Sequence, residues 1–130
     1  MVDPDRVRRL VAAIGRWRDV LADDPSDALA RRYAVQSAAQ AAIDLANHVI
    51  ASQGWRVPQD YGDAFTVLAE HKVIDEELAG RFRALTGLRN LLVHLYDDVD
   101  DDRVAREVHR GLPDLARFAE RVAALLEEPG

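Results

Sequence analysis

"LRNLLVHLYDDVD", residues 88–100, is the stretch on which the fold turns. Arg89, Asn90, His94 and Tyr96 sit among five aliphatic residues, and a run of acids follows. The aliphatic spacing marks the end of a helix, and the acids suit the positive N-terminus of a following one. A step of about 100° per residue places Leu78, Phe82, Leu85 and Leu92 on a stripe about 80° wide. Arg89 falls near the middle of that stripe. An unpaired guanidinium buried there would cost several kcal/mol. Arg89 must therefore be paired, or it must face a cleft or a subunit interface. Asn90 and His94, four apart, share the more polar side. Arg89 and His94 are about 140° apart on a straight helix, so they border a groove rather than stand side by side.

Outward from this stretch the chain reads as helices joined by short breaks. Asp3-Pro4 opens a first helix that ends near Leu21, with Val7, Leu10, Val11, Ile14, Trp17 and Leu21 on one face. "ADDPSD" breaks the chain, with Ser26 or Asp24 as the cap of a second helix over about residues 27–52. "QGWRVPQDYG" is a loop with a turn at Pro58. A short helix covers about Tyr61–His71, and a fourth runs from Asp75 to near His94. "DDVDDD" caps the last, from about Asp101 to Glu127. No segment alternates for long enough to be a strand. The expected fold is all-α, an up-and-down bundle of about five helices in a single domain over residues 1–130.

Composition narrows the function. With 48% hydrophobic and 31% charged residues the chain has the balance of an ordinary soluble domain. No apolar run approaches the roughly 20 residues of a membrane span, and the N-terminus has no apolar signal core. A cytoplasmic protein is expected. The absence of cysteine excludes disulfides and thiolate metal sites. A net charge of −6 argues against a broad basic surface for nucleic acid, though not against a local cationic cleft. The cations are 16 arginines and Lys72. A GC-rich genome explains that bias, and an arginine-made phosphate site is also compatible with it.

In the second helix Arg32, Gln36, Gln40, Asp44 and His48 recur every four residues. The row is either a solvated face or one wall of the cleft that Arg89 and His94 border. In the second case Asp44 orients an imidazole or pairs with Arg89.

"RNLLVHLYDDVD" resembles the R-x4-H-x-Y motif of the HepT-like toxins in the HEPN ribonuclease superfamily. Arg89, His94 and Tyr96 match the motif residues, and Asn90 the polar residue that commonly follows the arginine. The resemblance extends over roughly residues 26–110, including "AAIDLANHVI" upstream. It implies a HEPN-like bundle and a metal-independent RNA endonuclease acting as a toxin. It also implies a homodimer with the two motifs facing each other. A partner antitoxin is implied too, an MntA-type nucleotidyltransferase that transfers AMP to the motif tyrosine, here Tyr96.

The residue chemistry is compatible with that. An imidazole, with a pKa of roughly 6.5, serves as base or acid near neutral pH. An arginine fork holds two phosphate oxygens at once. Cleavage needs two proton transfers, and one chain offers one His94; a two-fold dimer offers two, with Arg89 on the shared stripe. Asn90 and Asp44 are supporting residues. No cofactor is expected. His94 with Asp97 and Asp98 lacks the two-histidine helical spacing of a metal site. His71 and His109 are expected at the surface. None of the five hydroxyl residues Ser26, Ser37, Ser52, Thr66 and Thr86 sits on a nucleophile elbow. Two other readings stay open: a non-catalytic helical adaptor that binds a nucleotidyltransferase, and a dimeric bundle without chemistry.

Overall fold

The computed structural model describes residues 2–23 and 25–126. Among them are five α-helices: α1 (Pro4–Ala22), α2 (Ala28–Gln53), α3 (Tyr61–Glu70), α4 (Glu76–His94) and α5 (Asp101–Ala123). One-turn 3-10 segments follow α4 (Tyr96–Asp98) and α5 (Ala124–Leu126).

Every one of these helices starts on an aspartate. Asp3, Asp27, Asp60, Asp75 and Asp100 each accept a hydrogen bond from a backbone N–H of the first turn. Each such cap contributes about 1 kcal/mol. Ser26 is therefore not the cap of α2; Asp27, the next residue, takes that role with its carboxylate on the Leu29 N–H at 2.9 Å. Asp24, the other expected cap, and Glu127, the expected end of the last helix, lie outside the described residues. The third helix stops at Glu70, one residue short of His71.

α2 is the axle of the bundle and packs against the other four helices. Its alanines at 34, 38, 39, 41, 42 and 46 are buried, as are Val35, Ile43, Leu45, Val49 and Ile50. A helix apolar around most of its circumference belongs inside. α1 covers it with Val7, Ile14 and Leu21. Phe65, Phe82 and Phe118 knit α3, α4 and α5 at one level, with ring centroids 4.7–5.6 Å apart.

Two tight chain reversals place α3 and α4. Gly54 ends α2 at φ 70°, and Trp55 N–H reaches back to the Ile50 carbonyl at 3.1 Å. The same arrangement ends α3, where the left-handed residue is Lys72 (φ 62°) and Val73 N–H bonds the Leu68 carbonyl. His71 is exposed, as expected, but its ring stacks on Trp55 at 3.8 Å. Beside it Arg56 grips Asp63 and Glu70 of α3.

Candidate functional site

α4 brings the expected residues to its last two turns because its apolar face is consumed by the core. Leu78, Phe82, Leu88 and Leu92 are buried and Leu85 is half-buried. Arg89, within this stripe, is half-buried and turns toward α2 and α3. Its Nη2 donates to Gln40 Oε1 at 2.9 Å and its Nη1 to Asn90 Oδ1 at 3.1 Å. The guanidinium lies over the Tyr61 ring, 5.2 Å from its centroid. Its Nε is buried with no hydrogen-bond partner. Arg89 is thus paired, but only to neutral groups. Among the described residues no carboxylate lies within ion-pair distance of it.

Asp44 supports this arrangement at one remove. Gln40 Nε2 donates to Asp44 Oδ1 at 2.8 Å while Gln40 Oε1 receives Arg89. The carboxylate fixes which end of the amide faces the guanidinium, without neutralising it directly. Neither expected alternative for Asp44 is met within this chain: among the described residues no hydrogen bond or ion pair joins it to an imidazole or to Arg89.

The polar row of α2 does not line one cleft, nor is it a solvated face. Its members have separate tasks, because a slow spiral carries them past different neighbours. Arg32 is buried and binds Asp101 at 2.6 Å and the Val99 carbonyl at 3.1 Å. This pins the connection between α4 and α5 and holds the Asp101 carboxyl below the usual carboxylate range. His48 accepts a hydrogen bond from the Asp3 backbone N–H at the start of α1. Of the row, Gln40 bonds Arg89, and Asp44 stands behind it on the Gln40 amide.

His94 is the last residue of α4 and is exposed. Among the described residues nothing hydrogen-bonds its ring, and no hydrogen bond joins it to Arg89. Its neighbours Val93 and Leu95 are 39% and 52% exposed, an apolar flank on each side of the imidazole. Tyr96 opens the 3-10 turn directly after the helix; its side chain lies outside the described residues. Of the acids that follow, Asp100 caps α5, Asp101 binds Arg32, and Asp97, Asp98 and Asp102 are exposed.

One residue of the site, Tyr61, was not singled out by sequence. Tyr61 is 28 positions from Arg89, and no local pattern links them. Gln40 was named in the α2 row, whose four-residue spacing puts it on one helix face with Asp44, and it is the member that meets Arg89. Among the described residues no three His, Cys, Asp or Glu side chains cluster as metal ligands. No described helix is long and apolar enough to cross a membrane.

The chain is similar to known proteins. The mRNA nuclease HepT of Shewanella oneidensis is 34% identical over 90 residues, covering 69% of this chain and 68% of that protein. A crystal structure of a toxin–antitoxin with AMP-PNP superposes with a TM-score of 0.83 at 26% identity, over 91% of this chain and 98% of the other. A tri-AMPylated Shewanella oneidensis HEPN toxin in complex with an MNT antitoxin gives a TM-score of 0.70 at 27% identity, over 93% of each chain. The family model of HepT-like ribonucleases matches residues 5–122, and the chain belongs to that family.

Proposed function

We propose that this protein is a toxin that cleaves single-stranded RNA without a metal ion, with Arg89 and His94 as its catalytic residues. The observation that carries the reading is the uncompensated charge of Arg89. A half-buried guanidinium held by two amides and an aromatic ring keeps its positive charge for an incoming anion, and a phosphodiester fits its fork.

In this mechanism Arg89 holds the non-bridging oxygens of the scissile phosphate and stabilises the charge that builds up on them. His94 takes the proton of the 2′-hydroxyl, whose oxygen attacks phosphorus. The bond from phosphorus to the 5′-oxygen breaks, and a second imidazole returns a proton to that oxygen. The products are a 2′,3′-cyclic phosphate and a 5′-hydroxyl. Asn90 and Asp44 are positioning residues, Asn90 directly on Nη1 and Asp44 through Gln40.

One chain supplies a single motif imidazole, set apart from Arg89 and flanked by exposed Val93 and Leu95. A homodimer with the ends of the two α4 helices near its two-fold axis covers that apolar flank and brings two histidines to one cleft. The partner antitoxin is a nucleotidyltransferase that places AMP on Tyr96, beyond the helix end. The added phosphate pairs with Arg89 and the adenosine fills the groove, so inhibition comes without unfolding. The toxin acts in the cytoplasm, on cellular RNA.

The isolation of His94 within one chain also favours a second reading, a non-catalytic adaptor for the nucleotidyltransferase. Incubation of the purified protein with single-stranded RNA in excess EDTA separates the two. The ribonuclease leaves 2′,3′-cyclic phosphate ends; strict dependence on a divalent ion contradicts the mechanism, and intact RNA supports the adaptor. A fully active monomer by light scattering contradicts the dimer. After co-expression with the partner nucleotidyltransferase, an AMP-sized mass increment should appear on the wild type and be absent in Tyr96→Phe.

A further inference from the structure

Beside Arg89 lies a second, polar cavity of about 440 Å³, between the first turn of α3 and the middle of α4. Gln59, Tyr61, Arg83 and Asn90 line it, with Asp60 and Asp63 at the α3 end. Two glycines shape it for opposite reasons. A Cβ at Gly62 would stand 3.2 Å from Thr86 Oγ1, so glycine there lets α3 close onto α4. A Cβ at Gly87 would meet nothing within 4 Å. Gly87 is a poor helix former in the interior of α4, and its missing side chain leaves the cavity open.

The polar groups around the cavity differ in what they have left to offer. Both Asp63 oxygens are taken, by Arg56 and by the Gln59 backbone N–H. Arg83 donates to Thr66. Among the described residues, the side-chain amide of Gln59 and the Nδ2 group of Asn90 have no partner, and one Asp60 oxygen caps α3 while the other has none. The cavity therefore presents amide donors and acceptors beside Asp60, an Asp63 already paired with Arg56, and the Arg83 guanidinium. With Asp60 and Asp63 set against Arg83 and Arg56, the lining is close to charge-balanced and suits the edge of a neutral, flat, hydrogen-bonding ring. Tyr61 supplies the flat surface, since Arg89 covers one face of its ring and the ring also lines the cavity. A phosphate on Arg89 would thus place the adjoining nucleoside at the cavity mouth. The scarcity of apolar lining gives no anchor for a protein side chain.

We propose that this cavity receives the base of the RNA nucleotide next to the scissile phosphate, stacked against Tyr61 and read at its edge by Gln59 and Asn90. The inference rests on the reading of Arg89 as the phosphate-binding residue. It makes the protein selective for one base beside the cut.

The test uses the purified full chain and short, uncleavable 2′-O-methyl homopolymers of A, C, G and U, with binding read by fluorescence anisotropy. Wild type should prefer one of the four by roughly tenfold, the range of one stacked and read base. Gly87→Leu puts a side chain on the cavity wall from a position where a Cβ meets nothing within 4 Å, and should keep the melting temperature while losing the preference. Gln59→Ala should reduce the preference with the melt unchanged. Equal binding of all four by wild type overturns the proposal, as does a preference that survives in Gly87→Leu. Loss of nucleotidyltransferase binding by Gly87→Leu with RNA preference intact overturns it too, and marks a protein-docking surface instead. Binding needs no cleavage: a base preference that depends on Gly87, in a protein that cuts no RNA, leaves the cavity assigned and removes the catalytic reading alone.

Discussion

Arg56 and Arg89 are both arginines that reach across to other elements, and they meet opposite surroundings. Arg56, in the loop between α2 and α3, binds Asp63 through two hydrogen bonds of 2.7 and 3.0 Å and Glu70 through three of 2.8–3.2 Å. Those bonds raise its own pKa above the ordinary arginine range. They lower Glu70 and bring Asp63 down to about 2. Its charge is more than balanced within the fold. Arg89 has two amides and a tyrosine ring, and a buried Nε with no partner. An unsatisfied buried donor costs about 1–3 kcal/mol. An arginine whose work is structural ends up like Arg56. One whose surroundings leave charge and a donor uncompensated is available to a ligand.

The largest expected effect lies on the side of the motif. His94→Ala should lower kcat/KM for RNA by roughly 100-fold or more, the usual contribution of a general acid or base. Its melting temperature should stay at the wild-type value, since the side chain is exposed at the helix end. Undiminished cleavage would remove His94 from the mechanism. A smaller effect belongs to the brace. Gln40→Leu and Asp44→Asn should each lower kcat/KM by roughly tenfold, because a guanidinium misplaced by a fraction of an ångström holds phosphate less well. Circular dichroism should show the helices intact. A full rate in both variants would show that Arg89 needs no support from α2.

On the side of Arg56 the expected effect is on stability and depends on pH. A carboxyl whose folded pKa is depressed adds stability that is present above its unfolded pKa and is lost as pH falls through the folded one. For Asp63 that window runs from its ordinary 3.8 down to about 2. Arg56→Gln should therefore melt several degrees below wild type at pH 7, and the gap should close as pH falls through this window. A gap independent of pH would mean that the arginine acts by packing alone. The smallest effect separates charge from backbone in the same region. Lys72 ends α3 at φ 62°, where a side chain is strained. Lys72→Gly should raise stability by up to about 1 kcal/mol, leaving RNA cleavage unchanged.

The fold was legible because local rules and the core agree. The ends of α1 and α4 follow from Asp3-Pro4, Asp75 and the break after His94, and the buried stripe of α4 follows from its 3.6-residue period. The cap of α2 was missed by one residue, since Ser26 and Asp27 are equally good caps by type and only the helix trajectory selects between them. At the site, a cation, an amide and an imidazole at one helix end were visible as a local cluster. What holds Arg89 was legible only in part: the α2 row offered Gln40 as one of five residues of a cleft wall, while Tyr61 comes from another helix and meets Arg89 only through packing. The row on α2 misled for a related reason. A four-residue repeat shows that residues share a face, but not that one neighbour runs along it, and here Arg32 and His48 meet α5 and the start of α1.

One paired measurement tests the difference between the two arginines directly: kcat/KM for single-stranded RNA in excess EDTA, together with the thermal melt, for Arg89→Ala and Arg56→Ala. The expected result is a double dissociation. Arg89→Ala loses cleavage by roughly 100-fold or more and keeps a melt close to wild type, since no ion pair is broken. Arg56→Ala keeps its cleavage rate and melts lower. Cleavage by Arg89→Ala at the wild-type rate would contradict the claim that its uncompensated charge binds the scissile phosphate.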